Sequence, residues 1–184
     1  MTRLLLHELD VRSGFHLDTP PLVWIELTRL CNLKCPHCNI DGGQPRDSEM
    51  SPLQFKQLLE EMAEMGVWAV AFTGGEPTLH PDISELVNYA RSLGLLVGIA
   101  THGLFLSCEL LDTFPRDGVI ISVSLDDLHL MGTNPLNEFH AATEAILRCQ
   151  DMGFLTNLMT NTNRRNVSRL SEVMDWVRAH KVSV

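Results

Sequence analysis

From residue 22 onward the chain alternates between short apolar runs and stretches that place apolar residues on one helical face. The runs LVWIEL (22–27), VWAVAF (67–72), LLVGIA (95–100), VIISVSL (119–125) and FLTNLM (154–159) have the length and the apolar, often β-branched content of strands. Between the first two, Phe55, Leu58, Leu59 and Met62 recur at i, i+3, i+4 and i+7, and Ile83, Leu86, Val87 and Ala90 repeat that spacing. Each set is the inward stripe of a helix. Ser51, Pro52 and Gln54 predict an N-cap, a first helical position and a capping box. A short helix is predicted after Ser107. A longer one carries Phe139, Ala142, Ile146 and Cys149 inward, and a last one, starting near Asn166, carries Leu170, Val173, Met174 and Val177. Gly66, Gly94 and Gly153 mark helix stops. The final KVSV has the pattern of an opening sixth strand.

Strand–helix alternation with nearly continuous apolar strands predicts an α/β fold of parallel strands, covered on both sheet faces. In such folds the chemistry gathers at the carboxyl ends of the strands. The loops there read TRLCNLKCPHC, TGGEPTLHP, THG, DDLHLMG and NTNRRN, rich in thiol, carboxylate, hydroxyl and glycine. The loops at the other end are short and built around the glycine stops.

Composition narrows this picture. With 184 residues, 45 % of them hydrophobic, one core and one domain are expected, residues 21–184 forming it and 1–20 an N-terminal extension. A net charge of −9 argues against binding nucleic acid or an anionic membrane surface. Arg164, Arg165 and Arg169 read as a solvated loop and helix start. No apolar run is long enough to span a bilayer, and MTRLLLHELD does not have the form of a secretory signal, so a cytoplasmic location is expected.

Cys31, Cys35 and Cys38 crowd into eight positions, too close together for a disulfide framework and suited to holding metal. Zinc accepts three thiolates and a histidine, and His37 is adjacent, but neighbouring side chains in a tight loop rarely converge on one ion. Thiolates also suit a [4Fe–4S] cluster, and three of them leave one iron open. Cys108 and Cys149 stand apart, Cys149 on an apolar helix face and Cys108 at a helix start, where a small packing residue is expected.

The Cys-x3-Cys-x2-Cys spacing follows the first strand, TGGEP (73–77) follows the second, and SLD (124–126) closes the fourth. Together these resemble the radical S-adenosylmethionine (radical SAM) superfamily over residues 21–184. The stretch NIDGGQPRDSEMSP (39–52) is similar to the linker of its peptide-maturase and cofactor-biosynthesis members.

The resemblance implies a partial (β/α) TIM-like barrel of about five to six parallel strands, short of the family core at its C-terminal end. It implies that Cys31, Cys35 and Cys38 hold three irons of a [4Fe–4S] cluster, with S-adenosyl-L-methionine chelating the fourth. Gly74 and Gly75 would let backbone approach the cofactor, Glu76 would meet the methionine ammonium, and Thr101 would stand nearby. Ser124 and Asp126 match positions that contact the ribose or the methionine carboxylate, and His37 would shape the pocket around cluster and adenine. His102 departs from the Thr-Asn-Gly that relatives often carry. Asn161, Asn163 and Arg164 are further polar candidates, with Asn166 as a helix cap.

The implied chemistry is reductive cleavage to a 5′-deoxyadenosyl radical that abstracts hydrogen from a substrate, a peptide or a cofactor precursor. A flavodoxin- or ferredoxin-type protein would supply the electron. Two readings of other classes stand beside it: a catalytically incomplete metal-binding or interaction fragment whose barrel a partner completes, and a zinc-stabilised binding module.

Overall fold

The structure, a computed structural model, describes residues 18–35, 37–125, 138–164 and 166–182, the side chains of 138–140 excepted. Among them five strands form one sheet: β1 (Leu22–Thr28), β2 (Ala69–Gly74), β3 (Leu96–Thr101), β4 (Val119–Ser124) and β5 (Leu155–Met159). All pairings are parallel and the strand order follows the chain, β1-β2-β3-β4-β5. The connections run through helices α1 (Pro52–Glu64), α2 (Ile83–Ser92), α3 (Cys108–Asp112) and α4 (Glu138–Asp151), with α5 (Leu170–Ala179) after β5. Parallel strands laid down in one direction by right-handed crossovers put every helix on the same face of the sheet. That is the winding of a TIM-like barrel, of which these elements are a part.

The covered face is the core. Val70, Phe72, Val97, Ile99, Val119, Ile121 and Val123 are fully buried, and Phe55, Leu59, Leu86, Val87, Ala90, Ala142, Ile146 and Cys149 belong to the same cluster. Burial on both faces, expected from the apolar strands, does not hold among the described residues. Burial alternates along β3 and β4, and on the inner face Trp24 is 57 % and Leu155 62 % exposed. Apolar inner residues suit the interior of a barrel, where a closed ring would cover them.

Strands β2, β3 and β5 begin one or two residues later than their apolar runs because the helices before them end in one repeated device. After α1, Val67 N–H donates to Met62 O and Gly66 N–H to Ala63 O, with Gly66 at φ +87°. This is a Schellman cap, and Val67 is its apolar lid rather than a strand residue. The same pair of bonds closes α2 through Gly94 and Leu95, α4 through Gly153 and Phe154, and α5 through Lys181 and Val182. Val67, Leu95, Phe154 and Val182 are all buried. The capping box of Ser51 and Gln54 forms as predicted, and the short helix expected after Ser107 begins there, with the Ser107 hydroxyl accepting from Leu110 N–H.

Two expectations in the last helix fail. Met174 faces solvent, while Trp176 packs partly on the core. Asn166 makes no cap bond. It is buried, accepts from Asn163 N–H at 2.8 Å and donates to Asn161 O at 2.8 Å, bracing the loop after β5 instead.

Candidate functional site

The loops at the carboxyl ends of β1, β2 and β3 close on one another. Residues 29–43, which carry the three cysteines, form a ring tied at its neck: Gly43 N–H donates to Arg29 O (2.8 Å) and Cys31 N–H to Gly43 O (3.0 Å). The Arg29 guanidinium spans the ring, donating through Nη2 to Ile40 O at 2.6 Å and Asp41 O at 2.5 Å. Leu33, within the ring, is buried. Backbone N–H groups point at two sulfurs, Leu33 N to Cys31 Sγ and Gly42 N to Cys38 Sγ, each at 3.4 Å. Such donors stabilise thiolates and tune the potential of any cluster they hold.

Glu49 fixes where this ring begins. It accepts from Arg29 N (2.7 Å), Arg46 N (3.0 Å) and Thr28 Oγ1 (2.9 Å), and Thr28 Oγ1 accepts in turn from Leu30 N. Partial burial works against its charge, but the Arg29 and Arg46 N–H groups and the Thr28 hydroxyl hold it below the usual carboxylate range. Sequence reasoning missed this residue. It lies twenty-one positions from Thr28, and no local pattern links them.

Gly74 and Gly75 lie against the ring. Gly75 N–H donates to Thr28 O at 2.7 Å and Glu76 N–H to Leu30 O at 2.8 Å, continuing the β1–β2 pairing into the loops. A Cβ on Gly75 would stand 2.3 Å from Leu30 O and 2.6 Å from Arg29 O, and one on Gly74, at φ +130°, 2.2 Å from Thr28 O. Only glycine permits this approach.

Glu76 is completely buried, and its carboxylate collects four hydrogen-bond donors. Oε1 accepts from Thr78 N (3.1 Å), Thr78 Oγ1 (2.5 Å) and Thr101 Oγ1 (2.6 Å). Oε2 accepts from His102 N (3.0 Å) and faces His102 Nε2 at 3.1 Å. Thr101, also buried, accepts from Gly103 N–H at 3.0 Å. Burial drives the His102 imidazole below its ordinary pKa, against the pull of Glu76, and leaves it neutral near pH 7. Glu76 therefore has four hydrogen bonds, a neutral imidazole beside it and no counter-charge within ion-pair distance among the described residues. A buried anion so placed is suited to receiving a cation.

The other candidates scatter. Cys31 and Cys35 are half-buried and Cys38 exposed, all within the one ring, but among the described residues no three His, Cys, Asp or Glu side chains converge tightly enough for a single metal ion. His37 is exposed. Ser124 ends β4 on the inner face, half-buried, and Asp126 lies outside the described residues. Asn161 and Arg164 are exposed in the loop after β5. Cys149 is an inert core thiol, pushed up to about 11 by burial, whereas Cys108 is exposed rather than packed. On the inner face Ser122 pairs in register with Asn157, whose Oδ1 is buried with no hydrogen-bond partner.

His80 leads to a pH prediction. It is buried beside Phe55, its Nδ1 accepts from Asp82 N–H at 3.2 Å, and burial depresses its pKa despite Asp82 and Glu49. His102 is depressed likewise. The unfolded chain thus binds protons on both before the folded chain does. The stability of the neutral forms is complete above the ordinary pKa of 6.5 and is lost as pH falls from there through the lowered folded values. The urea midpoint should be lower at pH 5.5 than at pH 7.5; equal midpoints would contradict it.

Comparison with known proteins gives the family. The family model described as Radical SAM superfamily matches residues 25–177. An Fe-coproporphyrin III synthase of Methanosarcina barkeri is 31 % identical over 175 residues, 91 % of this chain and 43 % of that protein. A mycofactocin maturase MftC of Mycobacterium tuberculosis is 33 % identical over 161 residues, 85 % of this chain and 41 % of that protein. Streptococcus suis SuiB, crystallised with S-adenosylmethionine and with its precursor peptide SuiA, superposes with a TM-score of 0.77 at 18 % identity. With S-adenosylmethionine bound, the likeness covers 99 % of this chain and 43 % of SuiB. The chain thus spans less than half the length of each of these proteins.

Proposed function

Because the chain belongs to the radical SAM superfamily, we propose that it forms the core that binds a [4Fe–4S] cluster and S-adenosyl-L-methionine and initiates radical chemistry. The observation that carries the reading is the buried, uncompensated Glu76 carboxylate set beside a ring of three thiols. The donor set fits the group: three thiolates from one loop, two of them already receiving backbone N–H bonds, and a glycine pair that keeps side chains out of the contact between the loops. Bound together and reduced, cluster and S-adenosylmethionine supply a 5′-deoxyadenosyl radical, a hydrogen abstractor that no side chain provides.

The chain's own residues do the positioning. Cys31, Cys35 and Cys38 hold the cluster at the mouth of the sheet. Glu76 supplies the charge that favours the methionine ammonium. The Thr78 and Thr101 hydroxyls can accept an N–H from the ammonium on their oxygens while still donating to Glu76. Ser124 and Asp126 are assigned to the ribose or the methionine carboxylate, and His37 to the pocket around cluster and adenine.

A peptide or a cofactor precursor is the proposed substrate class, the peptide favoured. The likeness to the maturase MftC and to SuiB with its precursor peptide bound supports it. The electron donor is of flavodoxin or ferredoxin type. Exposed Trp24 and Leu155 support a further polypeptide covering the inner face.

The test compares S-adenosylmethionine with its analogue lacking the α-amino group. Glu76→Gln should weaken the natural cofactor at least tenfold, from the ~1.5–3 kcal/mol worth of a charged hydrogen bond. It should barely alter binding of the analogue. Equal losses for both ligands would remove Glu76 from the ammonium.

A further inference from the structure

His102 stands where relatives often have asparagine, and its surroundings fix both its tautomer and its task. Leu104 N–H donates to Nδ1 at 3.1 Å, so that nitrogen carries a lone pair. Nε2 faces Glu76 Oε2 at 3.1 Å and Asn32 Oδ1 at 2.9 Å. The carboxylate can only accept, so the proton is on Nε2, and Asn32 must then present its oxygen. That N–H donates to the cysteine ring, where Asn32 sits between Cys31 and Cys35, while Nε2 lies within 3.1 Å of the carboxylate of the GGE loop. The backbone N–H of His102 makes a second bond to that same carboxylate oxygen. The side chain is only 14 % exposed, and Phe105 lies against its ring at 5.8 Å, which limits its alternatives.

We propose that His102 is a positioning residue that, as the neutral Nε2–H tautomer, locks the cysteine ring and Glu76 into the relative placement that S-adenosylmethionine binding needs. This rests on the reading of the cysteines and Glu76 given above. A carboxylate held by a rotatable hydroxyl can swing, whereas an imidazole fixed at both nitrogens cannot. His102 reaches Asn32 across seventy residues of sequence and Glu76 across twenty-six. It would touch neither cluster nor substrate and act through Asn32 and Glu76.

The first measurement needs no cofactor. In the full chain without iron, selectively 15N-labelled at histidine, His102 (assigned by its absence from the His102→Gln spectrum) should show a protonated Nε2 and an unprotonated Nδ1 at pH 7.5. The opposite tautomer, or a charged ring, overturns the proposal. The second uses reconstituted protein. His102→Leu should keep its iron content and thermal midpoint, bind S-adenosylmethionine at least tenfold more weakly, and lose the change that the cofactor causes in the electron paramagnetic resonance of the reduced cluster. His102→Gln, which keeps a donor near Nε2, should recover binding to within about threefold. Wild-type affinity in His102→Leu would overturn the proposal, as would failure of the glutamine variant to recover any binding while remaining folded. If the wild type takes up no cluster or cofactor, the proposed function fails, and the tautomer measurement still decides the geometry of His102.

Discussion

Cys35→Ala is expected to emerge from anaerobic reconstitution with iron and sulfide as a folded but colourless protein. The wild type should turn brown and hold about four irons per chain, the count of a [4Fe–4S] cluster. Cys35 is half-buried in a ring whose closure depends on Arg29, Gly43 and Glu49, none of which the substitution touches. The fold should survive, with a thermal midpoint within a few degrees of wild type. Two thiolates cannot close three corners of a cluster, so the loss should be complete rather than graded. Iron analysis and visible absorption read it directly. A brown Cys35→Ala protein would mean that another ligand serves, and the assignment of the three cysteines would fall. A wild type that instead binds one zinc tightly and stays colourless would favour the binding-module reading.

Gly75→Ala should be the most damaging substitution that removes no functional group. The added methyl would stand 2.3 Å from Leu30 O and 2.6 Å from Arg29 O, and both obstacles are backbone. Neither can rotate aside. The contact breaks only if the loops part, which lengthens the 2.7 Å bond from Gly75 N to Thr28 O and the 2.8 Å bond from Glu76 N to Leu30 O. A cost of about 3 kcal/mol, the upper end of overpacking penalties, is expected in urea denaturation. Affinity for S-adenosylmethionine should fall by more than a hundredfold, because Glu76 moves with the loop. Gly43→Ala is the control. A Cβ there meets nothing within 4 Å, and stability should change by less than about 0.5 kcal/mol. Equal behaviour of the two variants would show that the close approach at Gly75 has no consequence.

What could be read from the sequence follows from the range over which each signal acts. The α1 stripe, its capping box and the glycine stops are local, set by contacts three to six residues apart, and the structure realises them as predicted. Strand existence was legible in the apolar runs, as were the starts of β1 and β4, but the starts of β2, β3 and β5 were not. Val67, Leu95 and Phe154 continue those runs in composition while serving as cap lids, a difference that backbone hydrogen bonds decide and hydropathy does not. Lys181, at φ +53°, does the work of a glycine and left no mark in the sequence. Burial on both faces was over-read, because apolar strands in an alternating fold serve equally for a doubly covered sheet and for the wall of a barrel.

The site shows the same division. The cysteines and GGE were visible because each motif lies within one loop. Glu49, Asn32 and the role of His102 were not, since each acts on a partner between twenty and seventy residues away. Asn166 had the residue type of a cap and is used otherwise, to brace the loop after β5.

The measurement that bears most directly on the account is product analysis of the reconstituted, reduced chain incubated with S-adenosylmethionine under strict exclusion of oxygen. The account predicts 5′-deoxyadenosine and methionine in equal amounts, abolished in Cys35→Ala and strongly reduced in Gly75→Ala. A fully loaded [4Fe–4S] protein that binds the cofactor yet yields no 5′-deoxyadenosine on reduction would contradict it.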